Sequence, residues 1–202
     1  GGRVIGEGEP KYLNSPETPV FEKGRELYGL YQARRAIRDA GRVVVVEGYM
    51  DVVALAQSGV EYAVATLGTA TTPLHVQKLL RQTDEIVFCF DGDKAGRSAA
   101  WRALENSLAH LQDGKQLKFL FLPDGEDPDT YVRKHGKEAF EKALAGAVPL
   151  SRFLLDEVSA RGDLATAEGR AKCLHEAKPL LKQILAGGLR LQLVRELAEP
   201  YA

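Results

Sequence analysis

The sequence predicts an α/β domain with a central, mainly parallel four-stranded sheet flanked by helices, followed by a small all-helical region. The first observation is the run of four valines at 43–46, which has no polar alternation and is typical of a strand buried on both faces. The second is the alternation of strand-like and helix-like segments from about residue 42 to 122. The third is the change after Pro128, beyond which only helical patterns remain.

Apolar segments predict the strands, and segments with helical spacing of apolar residues predict the helices. Strands are expected at residues 43–46, 62–66, 86–90 and 117–122. Helices are expected at residues 24–40, 52–58, 72–81, 95–110, 130–134, 137–145, 150–160, 165–185 and 189–197. Thr72 and Pro73 form a typical helix start, since proline needs no amide partner in a first turn. Residues 1–23, which are rich in proline and glycine, predict a loop or a short hairpin.

Composition excludes several classes of protein. Apolar residues make up 45% of the chain, so a disordered protein is excluded. The net charge is -1, from 27 basic and 28 acidic residues, so any nucleic-acid binding must come from a local basic patch. The cysteines, Cys89 and Cys173, are far apart, which argues against a disulfide scaffold and fits a cytoplasmic location. No apolar run reaches membrane-spanning length, and the only methionine is Met50, so we expect a segment of a longer protein.

Acidic residues follow three of the predicted strands. Glu47 and Asp51 follow the first strand, Asp91 and Asp93 follow the third, and an acidic stretch at 126–129 follows the fourth. Because the carboxyl ends of parallel strands share one edge of a sheet, these side chains are expected to converge. Any one of these clusters alone is equally typical of a turn or a helix cap. Their joint occurrence at three strand ends favours a site.

Converging carboxylates repel one another unless a cation lies among them. Oxygen ligands beside flexible glycines suit Mg²⁺ or Mn²⁺ rather than zinc, and no histidine is near them in the sequence. Magnesium held by carboxylates commonly serves phosphoryl or nucleotidyl transfer. The residues therefore predict a divalent-metal site for chemistry on phosphates.

Three motifs resemble the TOPRIM domain of bacterial DnaG-type primases. They are EGYMD at 47–51, FDGDKAGRSAAWRAL at 90–104 and LPDGEDPDTYV at 122–132. Upstream, KYLNSPETPVFEKGRELYGL at 11–30 resembles the edge of the basic subdomain of the same catalytic core. The resemblance implies a DNA-directed RNA polymerase that makes short RNA primers on single-stranded DNA from ribonucleoside triphosphates. It also implies three parts, at residues 1–41 (basic-subdomain edge and linking helix), 42–146 (TOPRIM domain) and 147–202 (helical subdomain).

The resemblance also assigns roles to individual residues. The acidic catalytic positions correspond to Glu47, Asp51, Asp91, Asp93, Asp127 and Asp129. Of these, Glu47, Asp91 and Asp93 are implied to be the principal ligands of Mg²⁺ or Mn²⁺. The nucleotide-binding positions correspond to Arg3, Lys11, Asn14 and Lys23. A zinc-binding domain and a domain that binds the replicative helicase are expected outside this chain.

Two other functions stay open at this stage. TOPRIM domains also cleave DNA strands in topoisomerases and nucleases, although Tyr49, inside EGYMD, is a poor candidate for a nucleophile. A metal- or nucleotide-binding module without catalysis is the second alternative. The basic run Arg34, Arg35, Arg38 and Arg42 either contacts template phosphates or complements a helix dipole. Trp101 is expected to pack in a helix rather than to stack on bases.

Overall fold

The computed structural model describes residues 2–3, 12–13, 16–19 and 21–198. Two short strands, β1 (Gly2–Arg3) and β2 (Tyr12–Leu13), pair antiparallel with Gly2 opposite Leu13, as the predicted hairpin requires. The later elements follow in chain order: α1 (Leu30–Ala40), β3 (Arg42–Val46), α2 (Tyr49–Gln57), β4 (Ala63–Ala65), α3 (Pro73–Leu80), β5 (Glu85–Phe90), α4 (Lys94–Leu108), β6 (Gln116–Phe121), α5 (Pro128–Ala145), β7 (Val148–Pro149), α6 (Leu150–Ser159), α7 (Ala167–Gln183) and α8 (Gly187–Ala198).

The main sheet has the strand order β4-β3-β5-β6-β7. Strands β4, β3, β5 and β6 are parallel, and β7 pairs antiparallel with β6. The predicted fold class is therefore confirmed, but the sheet has five strands instead of four. The fifth strand has only two residues, one of them Pro149, so it carries no alternation of its own. Its pairing with Lys118 and Phe119 comes from tertiary structure.

Helix boundaries differ from the predicted ones where glycine changes the backbone direction. Helix α1 begins at Leu30 rather than at residue 24, because Gly29 adopts a left-handed conformation with φ 80°. The helices predicted at 130–134 and 137–145 lie within α5, where the non-helical Gly136 separates them as predicted, and the first begins two residues earlier, at Pro128. The boundaries of the three predicted parts of the chain stay predictions.

Both faces of the sheet are buried, and the helical region shares this core. Val43–Val46 are all buried, as are Phe88 and Phe119 in the neighbouring strands. Phe153 of α6 packs on Phe119 with ring centroids 4.8 Å apart, and it meets Trp101 of α4 edge-on at 6.4 Å. The guanidinium of Arg161 lies 4.4 Å from the centre of the Trp101 ring. Trp101 therefore has the packing role that the sequence predicts.

Polar contacts fasten the helical region to the sheet. Arg97, in the first turn of α4, donates a hydrogen bond of 2.7 Å to Glu157 of α6 and lies over the ring of Phe121. The carboxylate of Asp113, in the loop before β6, accepts hydrogen bonds of 3.2 Å from the backbone amides of Gly188 and Leu189. These amides begin α8 and have no partner inside the helix. Both ends of the helical region are therefore tied to the sheet.

The segment before α1 is fastened to α3 by a buried histidine. His75 accepts a hydrogen bond from the amide of Thr72 at Nδ1, so its Nε2 carries the proton and donates to the carbonyl of Lys23 at 3.0 Å. Thr72 also donates to the carbonyl of Gly24 at 2.6 Å. Burial lowers the pKa of His75, which fits its neutral form in this contact.

Two further predictions concern the cysteines and the membrane. Cys89 and Cys173 are both buried free thiols, as a chain without disulfides requires. In the part of the chain that the structure describes, no helix has the length and apolar character needed to cross a membrane.

Candidate functional site

The carboxyl edge of the sheet is the side on which the parallel strands end. Two glycines at this edge leave no room for a side chain. A Cβ atom on Gly92 would lie 2.1 Å from the carbonyl oxygen of Leu122, at the end of the neighbouring strand. A Cβ atom on Gly96 would lie 2.1 Å from the carbonyl oxygen of Asp91. The amide of Gly96 donates 2.7 Å to Asp93, which caps α4. The DGDKAG sequence thus forms a tight strand–turn–helix unit that holds Asp91 and Asp93 at this edge.

A second acidic pair stands at the end of β3. Glu47 follows the buried valines directly, and its side chain reaches solvent. Asp51 lies in the first turn of α2 and turns back to accept a 3.0 Å hydrogen bond from the amide of Gly48. This capping contact fixes Asp51 next to the strand end, since both groups belong to one helix start.

The third acidic cluster is the start of α5. Asp127 caps this helix and accepts a 2.7 Å hydrogen bond from the amide of Thr130, whose hydroxyl accepts from the amide of Asp127 at 2.9 Å. Asp129 forms an ion pair with Arg133, one turn later in the same helix. Glu126 pairs with Lys134 at 2.6 Å and with His135 at 3.2 Å. The negative charges of Asp129 and Glu126 are therefore balanced by side chains of the same helix.

The remaining acidic groups act on one another electrostatically. Desolvation raises the pKa of Glu47, and the charges of Asp91 and Asp93 raise it further. The pKa of Asp91 is raised by desolvation and then by Asp127 and Asp93. That of Asp51 rises to about 7, chiefly through burial and the charge of Asp127, against the lowering effect of backbone amides at Gly48 and Asp129. The structure thus brings the three predicted strand-end clusters into one electrostatic group.

These carboxylates lie along the carboxyl edge of the sheet, but they do not all point to one position. Among the described residues, no three histidine, cysteine or acidic side chains stand close enough together to hold a metal ion. The donor set nevertheless fits a hard divalent cation, because the groups are carboxylates. Their raised pKa values show that they repel one another. A cation would relieve that repulsion.

Comparison with known proteins shows which families this chain resembles. Residues 44–132 match the family model described as Toprim-like, and residues 1–34 match the N-terminal domain of the DNA primase catalytic core. The DNA primase of Escherichia coli K12 is 57% identical over 197 residues, which cover 98% of this chain. That of Haemophilus influenzae is 56% identical over 199 residues, again 98% of the chain.

The chain belongs to the family of bacterial DnaG-type primases. It spans about a third of the length of the curated primases it matches, 34% for both relatives. A solved structure of the DnaG catalytic core superimposes with a TM-score of 0.93 at 56% identity, over 98% of this chain and 64% of that one. A DNA primase domain from Pseudomonas aeruginosa superimposes with a TM-score of 0.94 at 55% identity, and the match covers 98% of this chain and 62% of that one. A DnaG catalytic domain bound to ssDNA superimposes with a TM-score of 0.92 at 56% identity, and the match covers 98% of this chain and 64% of that one.

One family match corrects the sequence analysis. Residues 151–199 match the model described as the DnaB-helicase binding domain of primase. The expectation that no part of a helicase-binding region lies in this chain is therefore wrong. The helices α6, α7 and α8 carry no short motif with a chemical signature, so the residues alone gave no sign of this relationship.

The predicted nucleotide-binding residues are described only in part. Lys11 and Asn14 lie outside the described residues, as does the side chain of Arg3. Lys23 is half-buried, and its carbonyl is the acceptor of the His75 hydrogen bond. The structure therefore places the backbone of Lys23 firmly, and the roles of all four residues in this primase segment stay predictions.

The predicted basic run divides into members with different surroundings. Arg42 forms an ion pair with Glu141 and a 3.3 Å hydrogen bond with Tyr62, so it belongs to the amino edge of the sheet. Arg35 pairs with Asp39 at 3.7 Å, and Arg34 lies over the ring of Tyr31. Arg42 is therefore unsuited to template contact.

A pocket beside Glu47 was not predicted. It has a volume of about 290 Å³ and is lined by the ends of β3 and β5 and by the loop 66–71 of the TOPRIM region. The hydroxyl of Thr69 in this loop is buried without a hydrogen-bond partner in the structure. The density of threonine in this loop is a sequence signal that the prediction did not use, since only the next residue, Thr72, was interpreted, as a helix start.

Proposed function

We propose that this segment carries the catalytic site of an enzyme that makes RNA primers on single-stranded DNA by metal-dependent nucleotidyl transfer. The observation that supports the proposal most is the coupling of Glu47, Asp91 and Asp93 at the carboxyl edge, in a chain that is 57% identical to a DNA primase. The enzyme would act in the bacterial cytoplasm, with the template and ribonucleoside triphosphates as substrates.

Glu47, Asp91 and Asp93 are the residues that would hold Mg²⁺ or Mn²⁺. A divalent cation at such a site activates a hydroxyl nucleophile and stabilises charge on the departing pyrophosphate. The carboxylates supply oxygen ligands from two separate strand ends, which the glycine-bearing turn after β5 holds in place. Their mutual repulsion keeps the edge receptive to a cation.

The other acidic residues have supporting roles in this proposal. Asp51, with a pKa of about 7, is held by the amides of Gly48 and Asp129 and can carry or release a proton near neutral pH. Asp127 orients α5 through its cap and adds charge beside Asp91. Asp129 is engaged with Arg133, so we assign it to positioning of α5 rather than to metal binding.

Basic groups on the N-terminal side would bind the nucleotide. Lys23 is anchored through its backbone to His75, which leaves its side chain available to offset phosphate charge. Arg3, Lys11 and Asn14 complete the proposed set. The replicative helicase is the proposed protein partner, through the region 151–199 that matches the helicase-binding model.

One experiment separates this proposal from its alternatives. The full-length primase is incubated with single-stranded template, ribonucleotides and Mg²⁺, and the products are resolved on a denaturing gel. Short RNA products support nucleotidyl transfer, nicked DNA supports strand cleavage, and neither product supports a binding module. Tyr49, the tyrosine nearest the acidic edge in sequence, packs against Tyr28 with ring centroids 5.8 Å apart, which gives strand cleavage no support.

A further inference from the structure

The pocket beside Glu47 lies where the order of the strands in the main sheet changes direction. From β3 the chain crosses first to β4 on one side and then to β5 on the other. In open α/β sheets, ligands bind at this point, outside the carboxyl ends of the strands. The pocket has a volume of about 290 Å³, and helix α4 contributes to its lining as well as the two strands and the loop 66–71. Ligand pockets begin at about 300 Å³, so this one suits a single nucleotide unit.

The pocket combines an apolar lining with one acidic and one basic side chain. Phe88 and Phe90 of β5 line it and are buried. The charged residues of its described lining are Glu47 and Arg102. Arg102, on α4, is exposed and forms no ion pair with a described residue, and one of its guanidinium nitrogens donates to the hydroxyl of Ser98 at 3.2 Å. Because a guanidinium has five donors, most of them stay available for a phosphate.

The loop 66–71 is fastened at both ends and loosely held between them. The amide of Thr66 donates to the carbonyl at the end of β3 at 3.2 Å, and the side chain of Asn106 in α4 donates to the carbonyl of Thr71 at 2.8 Å. Between these two anchors, no hydrogen bond links the loop to another described residue, and the hydroxyl of Thr69 is buried without a partner. A buried hydroxyl without a partner costs free energy, which a ligand hydroxyl can recover once the middle of the loop shifts towards it.

The proposed reaction has two nucleotide reactants, and the charges of the pocket suit one of them. Lys23, the described member of the set proposed for the incoming triphosphate, does not line this pocket. A triphosphate carries several negative charges, which one arginine beside a carboxylate compensates poorly. A phosphate between two nucleotides carries a single charge, which Arg102 balances alone. The pocket therefore suits the last nucleotide of a primer better than the incoming one.

We propose that the pocket beside Glu47 holds the 3′-terminal ribonucleotide of the growing primer. Arg102 binds the phosphate of that nucleotide, and the hydroxyl of Thr69 forms a hydrogen bond with the 2′-hydroxyl of its ribose. The 2′-hydroxyl is the group by which a protein distinguishes RNA from DNA at a given position. The inference rests on the proposed function, because it gives one of the two reactants of that function its own subsite.

The first test measures extension of a short RNA primer, annealed to a DNA template, by the full-length primase. In Arg102→Gln, the KM for the primer–template should rise about tenfold, whereas the KM for ribonucleotides should stay within about twofold of the wild type. Arg152→Gln is the matched control, because Arg152 is an exposed arginine on α6 that pairs with Asp156 and does not line the pocket. Both of its KM values should stay within about twofold of the wild type.

The second test compares primers that end in a ribonucleotide or in a 2′-deoxyribonucleotide. The wild type should extend the ribonucleotide end about tenfold more efficiently, since the deoxy end leaves the hydroxyl of Thr69 without a partner. Thr69→Val should lose this preference through slower extension of the ribonucleotide end, and Thr69→Ser, which keeps the hydroxyl, should retain it. Thr69→Val should also unfold at no lower urea concentration than the wild type, because its missing hydroxyl had no partner to lose.

Four outcomes overturn the inference. In Arg102→Gln, a raised KM for ribonucleotides with an unchanged KM for the primer would mean that the pocket binds the free nucleotide. An equal loss in Arg152→Gln would mean a general effect of surface charge. A wild-type preference for ribonucleotide ends that persists in Thr69→Val would remove the role of the hydroxyl. Unfolding of Thr69→Val at a lower urea concentration would mean that the hydroxyl stabilises the fold instead.

Failure of the proposed function has a different signature. A wild type that extends no primer on any template would refute the function. Fluorescence anisotropy of a labelled RNA-ended primer–template with the wild type and Arg102→Gln then judges the pocket by itself. Affinity about tenfold lower in the variant supports the subsite, and equal affinity overturns it.

Discussion

Acidic side chains lie at both edges of the main sheet, but they meet different surroundings there. At the amino edge, Glu85 pairs with Lys118 at 2.8 Å, and Glu141 pairs with Arg42. At the carboxyl edge, Glu47 and Asp91 form no ion pair with any described residue, and burial and then neighbouring carboxylates raise the pKa of both. The same residue types therefore stabilise the fold through ion pairs at the amino edge, whereas at the carboxyl edge they repel one another. A bound divalent cation would relieve this repulsion, as the proposed function requires.

The sharpest contrast between the two edges is expected in catalysis. Asp91→Asn in the full-length primase should lower the rate of primer synthesis more than about a hundredfold, because it removes a proposed metal ligand. Glu85→Gln, at the amino edge, should leave that rate nearly unchanged. The measurement is incorporation of labelled ribonucleotide on a single-stranded template. Without metal, Asp91→Asn should melt at no lower a temperature than the wild type, since it removes a repelling charge. Near-normal primer synthesis by this variant would contradict the assignment of Asp91 as a metal ligand.

Next in size is the effect of filling the tight turn at the carboxyl edge. Gly96→Ala places a Cβ atom 2.1 Å from a backbone oxygen, and we expect the free energy of unfolding to fall by about 2–3 kcal/mol. Gly187→Ala is the control, because nothing lies within 4 Å of its Cβ position. Urea unfolding of both variants checks the prediction. Equal stabilities would show that the turn after β5 can open without cost.

Divalent ions should act at the carboxyl edge alone. Saturating Mn²⁺ or Mg²⁺ should stabilise the protein by about 2 kcal/mol through mass action. Thermal melting with and without the ion is the measurement. The shift should vanish in Asp91→Ala, Asp93→Ala and persist in Glu85→Gln. A shift of the same size in the double variant would place the ion elsewhere.

At the amino edge, loss of one partner should affect stability and nothing else. Glu141→Gln weakens the contacts of Arg42 and Tyr62, and we expect a loss of about 1–2 kcal/mol in the free energy of unfolding. The dependence of primer synthesis on Mg²⁺ concentration should stay that of the wild type. A changed metal dependence would mean that the two edges are coupled through the sheet.

The smallest expected effect is a pH dependence from His75, which belongs to neither edge. Its pKa is lowered in the folded state, so the unfolded chain binds the proton first as pH falls below about 6.5. The stability that His75 adds over His75→Gln should therefore be present at pH 7.5 and shrink by less than about 1 kcal/mol at pH 5.5. Urea unfolding of both proteins at the two pH values tests this. A difference that grows on acidification would contradict the neutral tautomer.

The sequence predicted those parts of the site that depend on local pattern. The valine run before Glu47 and the apolar run before Asp91 mark parallel strands, and strand direction alone then brings the carboxylates to one edge. Pairings between distant residues were not predictable. Arg42 meets Glu141 across 99 positions, and Arg97 meets Glu157 across 60. No periodicity records such contacts, so Arg42 was grouped with a basic run to which it does not structurally belong.

The edge-on contact of Trp101 with Phe153, beside the guanidinium of Arg161, makes Trp101 a fluorescent reporter within the fold. The chain has 1 tryptophan, and that residue stands where the helical region meets the sheet. Its emission therefore reports the docking of α6 and not the average state of the chain. A shift in the emission wavelength when the proposed helicase partner is added would show that binding changes this junction. Constant emission would show that the helical region moves as one body with the acidic edge.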